Sequence, residues 1–355
     1  MARSSQRKLR ETTQGRNRVN FLGKEIGKNK YPFIVAEISC NHQGNLLQAK
    51  ELIHGAKEAG ADAVKIQVYT ADEMTLNVPL EEFYIKKGLW RGRELYSLYA
   101  STQTDYNLAD DIINYCREIN IPWFASVFGK DGLSFLESKG CPAYKIASFE
   151  LPDIGLIKEV AKTKKPIVLS TGMASYDEIG RAWSITTGDC ILLHCVSAYP
   201  TPLEEINLWR ISKLQEQWGE PVGFSDHTTG HLAAQIACGM GACMIEKHLY
   251  TGAPGAEDAE FSLTPTAFKF FVQACRRAAE ASFEATSLDE ENNKQFRRSL
   301  YVVKDVPKGK SFDTNDIRSI RPSYGLPPSE LDMVLTKKAK YNLLKGEALK
   351  MEHLE

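Results

Sequence analysis

Short apolar runs and helical patterns alternate along most of the chain. From Tyr31 onward, β-branched or apolar runs at 33–39, 63–69, 122–128, 143–148, 166–171, 190–197, 221–226 and 243–250 read as strands. Between them, apolar residues recur at helical spacing over 46–59, 109–119, 132–138, 154–162, 177–185, 206–218, 231–240 and 266–283. Gly60, Gly140, Gly219 and Gly241 fall where four of these helices should stop. Eight βα units within residues 31–283 predict a closed (β/α)8 TIM barrel. The alternative is an open doubly wound sheet, which would place a Gly-rich phosphate turn after the first strand; here that strand runs into EISCNHQG.

The pattern breaks in three places. Residues 1–30 hold nine Lys/Arg against two Glu and read as a solvated arm ending in a short β-ribbon, FLGKEIGKNK. The stretch 70–107, with FYIKKGLWRGRELYSLY, is too long for an ordinary βα loop and reads as a substrate-side excursion or lid. After a polar linker at 284–296, residues 297–355 carry β-like runs (SLYVVKDV) and turn signals (PKGK, SYGLPP), which predict a small β-rich domain.

In a barrel the chemistry lies at the carboxyl ends of the strands. Those ends supply Glu37, Asn41 and His42, then Lys65 and Gln67, Ser126, then Lys145, Ser148 and Glu150. Next come Ser170 and Thr171, Ser197 and Tyr199, Ser225, Asp226 and His227, and finally Glu246, Lys247 and His248, with Asp258 in the following loop. Period-two alternation puts Ser225 and His227 on one face of the seventh strand, and Glu246 and His248 on one face of the eighth. Two histidines on neighbouring parallel strand ends make a candidate half-site for a metal; hydrogen-bonded core histidines are the plainer reading. Asp226 falls on the opposite face from His227, which favours a structural role. Lys65 and Lys145 interrupt apolar strands. They either form ion pairs with Glu37 or Glu150 or converge on an anionic ligand, and a Schiff-base lysine is a further chemical option.

Composition narrows the partners. A formal net charge of −1 gives no reason to expect nucleic acid or an anionic membrane, and no apolar run is long enough for a transmembrane helix. Eight scattered cysteines without a CxxC pair, and an N-terminus lacking a signal peptide's apolar core, predict a reduced, cytoplasmic protein.

The runs AEISCNHQGN, VKIQVY, AYKIASFEL, HCVSAYPTP, GFSDHT and IEKHLY together resemble the sialic acid synthase family, and RRSLYVVKDVPKGKSF with SIRPSYGLPP resembles its antifreeze-like (SAF) domain. The resemblance implies condensation of phosphoenolpyruvate with an acetamido-sugar to a nine-carbon 2-keto acid. It implies a divalent metal, usually manganese with magnesium or cobalt as substitutes, on His227 and His248. Lys65, Lys145, Ser148 and Ser225 then match groups around phosphoenolpyruvate, with Ser126 a further one and Gln67 also substrate-binding. Glu37 and Tyr199 match residues near the acceptor, Glu150 and Asp258 match further polar contacts, and Glu246 matches the proton-handling carboxylate. Glu246, Glu37 and Lys145 are the expected catalytic groups. Arg321 matches an arginine delivered into a partner's site, which implies a domain-swapped homodimer; Ser323 stands where that family usually has glycine. GLWRGRELYSLY and DAEFSLTP are most similar to the pseudaminate-forming branch, implying 2,4-diacetamido-2,4,6-trideoxy-altrose as acceptor. A manno-configured acceptor, as in N-acetylneuraminate or legionaminate formation, and a different metal-dependent barrel aldolase are the alternatives.

Overall fold

Successive side chains of a strand point to opposite faces, so each strand of a closed sheet sends half its residues inward and half toward the surrounding helices. A computed structural model describes residues 18–27, 29–186, 189–219, 221–284 and 290–355. The basic arm before Arg18 and the middle of the expected linker, 285–289, lie outside the described residues. The chain divides into two compact units, Met1–Phe283 and Glu284–Glu355.

In the first unit an antiparallel hairpin of β1 (Arg18–Phe21) and β2 (Lys24–Gly27) precedes eight parallel strands. These are β3 (Phe33–Glu37), β4 (Ala63–Val68), β5 (Trp123–Val127), β6 (Tyr144–Ile146), β7 (Ile167–Ser170), β8 (Cys190–His194), β9 (Val222–Asp226) and β10 (Met244–His248). They pair in sequence order, and β10 pairs back onto β3, closing the TIM barrel. The inter-strand helices α1 (Leu46–Ala59), α4 (Tyr106–Glu118), α5 (Lys130–Ser138), α6 (Ile154–Lys162), α7 (Tyr176–Ile185), α8 (Trp209–Trp218), α9 (Leu232–Gly239) and α10 (Pro265–Ser282) follow the predicted order. Some begin elsewhere than expected: α4 starts at Tyr106 because the Asp105 carboxylate accepts the free N–H groups of Asn107 and Leu108. The predicted helix from 206 begins only at Trp209, after a 3-10 turn at Leu203–Glu205.

Inside the barrel, the inward positions near the strand starts are apolar: Phe33, Val35, Phe124, Val168, Ile191 and Met244. The hairpin adds Val19, Phe21 and Ile26 to the same cluster, and Phe21 meets Phe33 and Phe124 edge-on at centroid distances of 5.1 and 5.3 Å. The hairpin is therefore a hydrophobic plug for the amino-terminal end of the barrel, tied down by a Lys24–Asp62 ion pair. Outward-facing residues such as Ile34, Ile66, Val127 and Ile245 pack in the larger cluster that includes helix residues Leu52, Ile113 and Phe271.

The long excursion after β4 is folded. It contains α2 (Ala71–Met74), a hairpin over 84–94 closed by a Tyr84–Glu94 bridge, and α3 (Leu95–Thr102). The second unit pairs β11 (Ser299–Val302) with β12 (Ile317–Ile320) around Leu300, Val302, Phe312 and Leu349, and carries a short α-helix, α11 (Leu331–Leu335). Beyond those two strands its described pairing consists of isolated bridges such as Val306–Leu343. No helix among the described residues is long and apolar enough to cross a membrane.

Candidate active site

The alternation that sends apolar groups into the lower barrel sends polar ones into its carboxyl-terminal mouth. Glu37, Lys65, Ser126, Lys145, Ser225, His227, Glu246 and His248 are all buried on inward positions of their strands. Burying so many polar groups is tolerable only if they satisfy one another. Lys65 forms an ion pair with Glu37, lies 3.4 Å from Glu246 Oε1 and donates to Ser126 Oγ at 3.1 Å. Lys145 lies 3.5 Å from the same Glu246 oxygen, and Ser225 Oγ donates to it at 3.0 Å. The plainer expectation of a Lys145 pair with Glu37 or Glu150 is thus corrected. Lys145 Nζ sits with Glu246, which carries the charge of two ammonium groups on one oxygen while Oε2 has no hydrogen-bond partner.

These neighbours set the charge states. Burial opposes ionisation of Glu246, but the Lys145 and Lys65 ammonium groups more than offset it and hold the carboxyl down at about 2. Burial likewise works against both lysines. Lys65, flanked by Glu246 and Glu37, is still raised, whereas Lys145, repelled by Lys65, is lowered.

His227 and His248 stand with ring centroids 5.5 Å apart. Burial first, and the neighbouring His248 second, push the His227 pKa down to about 3, so the ring is neutral at ordinary pH. Its Nδ1 sits 2.9 Å from the Val196 carbonyl and must donate there, which leaves the unprotonated Nε2 on the same side as Ser225 Oγ, 3.4 Å away. A neutral imidazole oriented by a backbone carbonyl, with a lone pair directed inward, is what a metal ligand requires. His248 Nδ1 lies 3.2 Å from Asp258 Oδ2. Among the described residues no set of three or more His, Cys, Asp or Glu side chains converges as a metal site.

The other expected residues fall around this centre. Gln67 Nε2 donates to Ser39 Oγ at 3.1 Å. Ser148 Oγ accepts from Gly172 N at 3.2 Å and lies 3.1 Å from Cys195 Sγ. A Cβ on Gly172 would come within 2.9 Å of that hydroxyl, so the turn admits only glycine without displacing the serine. The Tyr199 ring packs 4.5 Å from His227. Glu150 is half-buried with an unpartnered Oε2, and burial raises its carboxyl to about 7. Arg321 is exposed and belongs to the second unit. Asp226 and Lys247 pair with each other at 3.2 Å on outward-facing positions; Lys247 is therefore removed from the list of mouth residues. His42 and His194 are also spoken for, by Thr104 and by the Ile206 carbonyl.

Four contributors escaped the sequence reading. Cys195 continues the inward alternation of Ile191 and Leu193 just beyond β8, a signal that was present in the strand. Trp90, Glu257 and Phe261 come from stretches with no periodicity, and nothing short of the fold brings Trp90 to Tyr199, Phe261 to His227 and Glu257 to Trp90.

Buried charge of both signs gathered beside a histidine pair at the carboxyl end of a closed barrel defines the class: a (β/α)8 barrel with its polar groups in the carboxyl-terminal mouth. The chain belongs to the NeuB family, whose sequence pattern matches residues 52–286, and residues 297–355 match the SAF domain. It is 43% identical over 330 residues to the pseudaminic acid synthase of Campylobacter jejuni, covering 91% of this chain and 96% of that one. The Helicobacter pylori pseudaminic acid synthase is 39% identical over 91% of this chain and 98% of its own length. Identity falls to 32%, over 94% of this chain and 97% of the relative, for the N,N'-diacetyllegionaminic acid synthase of Legionella pneumophila. Among solved structures, the N-acetylneuraminic acid synthetase of Leptospira borgpetersenii superposes with a TM-score of 0.69 at 29% identity, covering 78% of this chain and 94% of that one.

Proposed function

We propose that the protein is a pseudaminic acid synthase, a transferase that condenses phosphoenolpyruvate with 2,4-diacetamido-2,4,6-trideoxy-altrose and releases phosphate. The observation that carries the reading is the Lys65–Glu246–Lys145 cluster beside His227: two ammonium groups that a carboxylate and phosphate can claim, next to a carboxylate that is already ionised. The choice of acceptor rests on the higher identity to the pseudaminic acid synthases than to the legionaminic acid synthases.

Lys65 and Lys145, with Ser126, Ser148 and Ser225, hold the carboxylate and phosphate of phosphoenolpyruvate and fix its C3 toward the aldehyde carbon of the open-chain sugar. Glu37, Gln67, Tyr199, Glu150 and Asp258 position the acceptor. His227 and His248 suit a divalent cation, manganese for preference and magnesium or cobalt as substitutes, which would supply Lewis acidity at the acceptor carbonyl. The C2=C3 π pair of phosphoenolpyruvate forms the bond to the aldehyde carbon, whose carbonyl π pair moves to its oxygen. Glu246 takes a proton from the water that adds at the cationic C2 and passes it to that oxygen, and the C2 hydroxyl gives its proton to phosphate as phosphate leaves with its bridging oxygen by C–O cleavage. Arg321 reaches the acceptor of a partner chain, so the working unit is a cytoplasmic, domain-swapped homodimer.

The test is phosphate release from phosphoenolpyruvate with manganese, offering the altrose sugar, N-acetylmannosamine and the trideoxy-mannose analogue. Release with the altrose sugar alone supports the proposal. Release only with a manno sugar overturns the acceptor, and no release with any overturns the reaction.

A further inference from the structure

The hairpin over 84–94 is held by Ile85 N–H donating to Arg93 O at 2.9 Å and Gly92 N–H donating to Ile85 O at 2.8 Å. Gly88 and Gly92, at φ of 84° and 86°, let it turn back within a few residues and present Trp90 at its tip. The indole N–H donates to Glu257 Oε2 at 3.1 Å, which uses the only polar atom of that side chain and leaves its faces apolar. Arg93 pairs with the same carboxylate and also donates to Ser101 Oγ at 3.0 Å, fastening the hairpin to α3. Glu257 thus joins the excursion to the loop that carries Asp258, whose N–H donates to Asn41 Oδ1 at 3.2 Å.

Held there, the Trp90 ring lies 5.9 Å from Tyr199, and Tyr199 lies 4.5 Å from His227 and 5.2 Å from Phe261. A continuous aromatic row runs from the histidine pair outward to the hairpin tip. Beside the charged groups of the mouth, this row presents aromatic ring faces. Such ring faces reward a methyl group and themselves offer an added hydroxyl no hydrogen-bond partner.

We propose that Trp90 is a specificity-determining residue for the acceptor: with Tyr199 and Phe261 it forms an apolar wall that takes the terminal methyl of a 6-deoxy, N-acetylated sugar and disfavours the hydroxymethyl counterpart. Arg93 and Glu257 are positioning residues that fix the indole. This inference rests on the proposed function and specifies which end of the acceptor meets which wall.

The experiment compares 2,4-diacetamido-2,4,6-trideoxy-altrose with its 6-hydroxy analogue, measuring kcat and KM for both sugars and for phosphoenolpyruvate. Wild type is expected to favour the methyl sugar by roughly 10- to 100-fold in kcat/KM, the range a hydrophobic pocket achieves against an added hydroxyl. Trp90→Ala should cut kcat/KM for the methyl sugar about tenfold and narrow the ratio to within about threefold, with the KM for phosphoenolpyruvate unchanged. Trp90→Phe should restore most of the preference, and Glu257→Gln should weaken it through the acceptor KM. An unchanged ratio in Trp90→Ala, or equal loss on both sugars, overturns the inference even while turnover upholds the function. Should wild type turn over only manno sugars, the same 6-deoxy and 6-hydroxy pair in the manno series applies. If no sugar reacts, the function fails, and calorimetric binding of the altrose pair to wild type and Trp90→Ala decides the role of Trp90 by the same narrowing or its absence.

Discussion

Glu246 and His227 show how burial assigns opposite charge states to groups a few ångströms apart. The carboxylate stays ionised because two ammonium groups outweigh its desolvation, and the imidazole stays neutral because little outweighs its own. If His227 is a metal ligand, His227→Ala should lose most of its bound manganese, read by elemental analysis after dialysis, and lose turnover by at least about 100-fold while keeping its circular dichroism. Normal metal content would exclude it as a ligand. Glu150 makes a separate pH prediction. Its folded pKa of about 7 lies above the ordinary carboxylate value, so between those values the folded protein binds a proton that the unfolded chain has released. Stability contributed by this group is full at low pH and falls as pH rises through about 7. Glu150→Gln should therefore melt higher than wild type at pH 8 and show no such advantage at pH 4; equal melting temperatures at both would refute the raised carboxyl.

At the scale of elements, the amino-terminal hairpin and the excursion act at opposite ends of the barrel. The hairpin inserts Phe21, fully buried, between Phe33 and Phe124 and closes the end away from the chemistry. Phe21→Ala is expected to destabilise by about 3–4 kcal/mol, the usual cost of removing a buried phenylalanine, without changing the KM for either substrate. Urea melts that shift by less than about 1 kcal/mol would mean the plug collapses onto the cavity or contributes little. The excursion works differently: its polar latch on Glu257 is half-exposed, so its worth is geometric rather than energetic.

For the whole molecule, the proposed homodimer gives a complementation test. His227→Ala disables a barrel, and Arg321→Ala disables what the small unit delivers. Co-expressed, the two variants form mixed dimers in which one site has an intact barrel and an intact partner arginine. Random pairing makes half the dimers mixed with one good site each, so about a quarter of wild-type activity should return. No recovery from co-expressed variants would place Arg321 in its own chain's site, and full activity of Arg321→Ala alone would place it outside any site.

The sequence by itself determined the order of strands and helices, because period-two and helical spacing are written into adjacent residues and do not depend on what packs against them. It also determined which ends of the strands are polar, and hence that Glu37, Lys65, Lys145, His227, Glu246 and His248 would share one mouth once the barrel closed. Only the tertiary structure decided how those charges pair. Lys145 sits with Glu246 rather than Glu150, and Lys247, which alternation alone turns away from Glu246 and His248, meets Asp226, because the choice of partner depends on how strands meet and not on position within one. It alone brought Trp90 to Tyr199, residues 109 positions apart in the sequence, since a loop without periodicity takes its place from what it docks against.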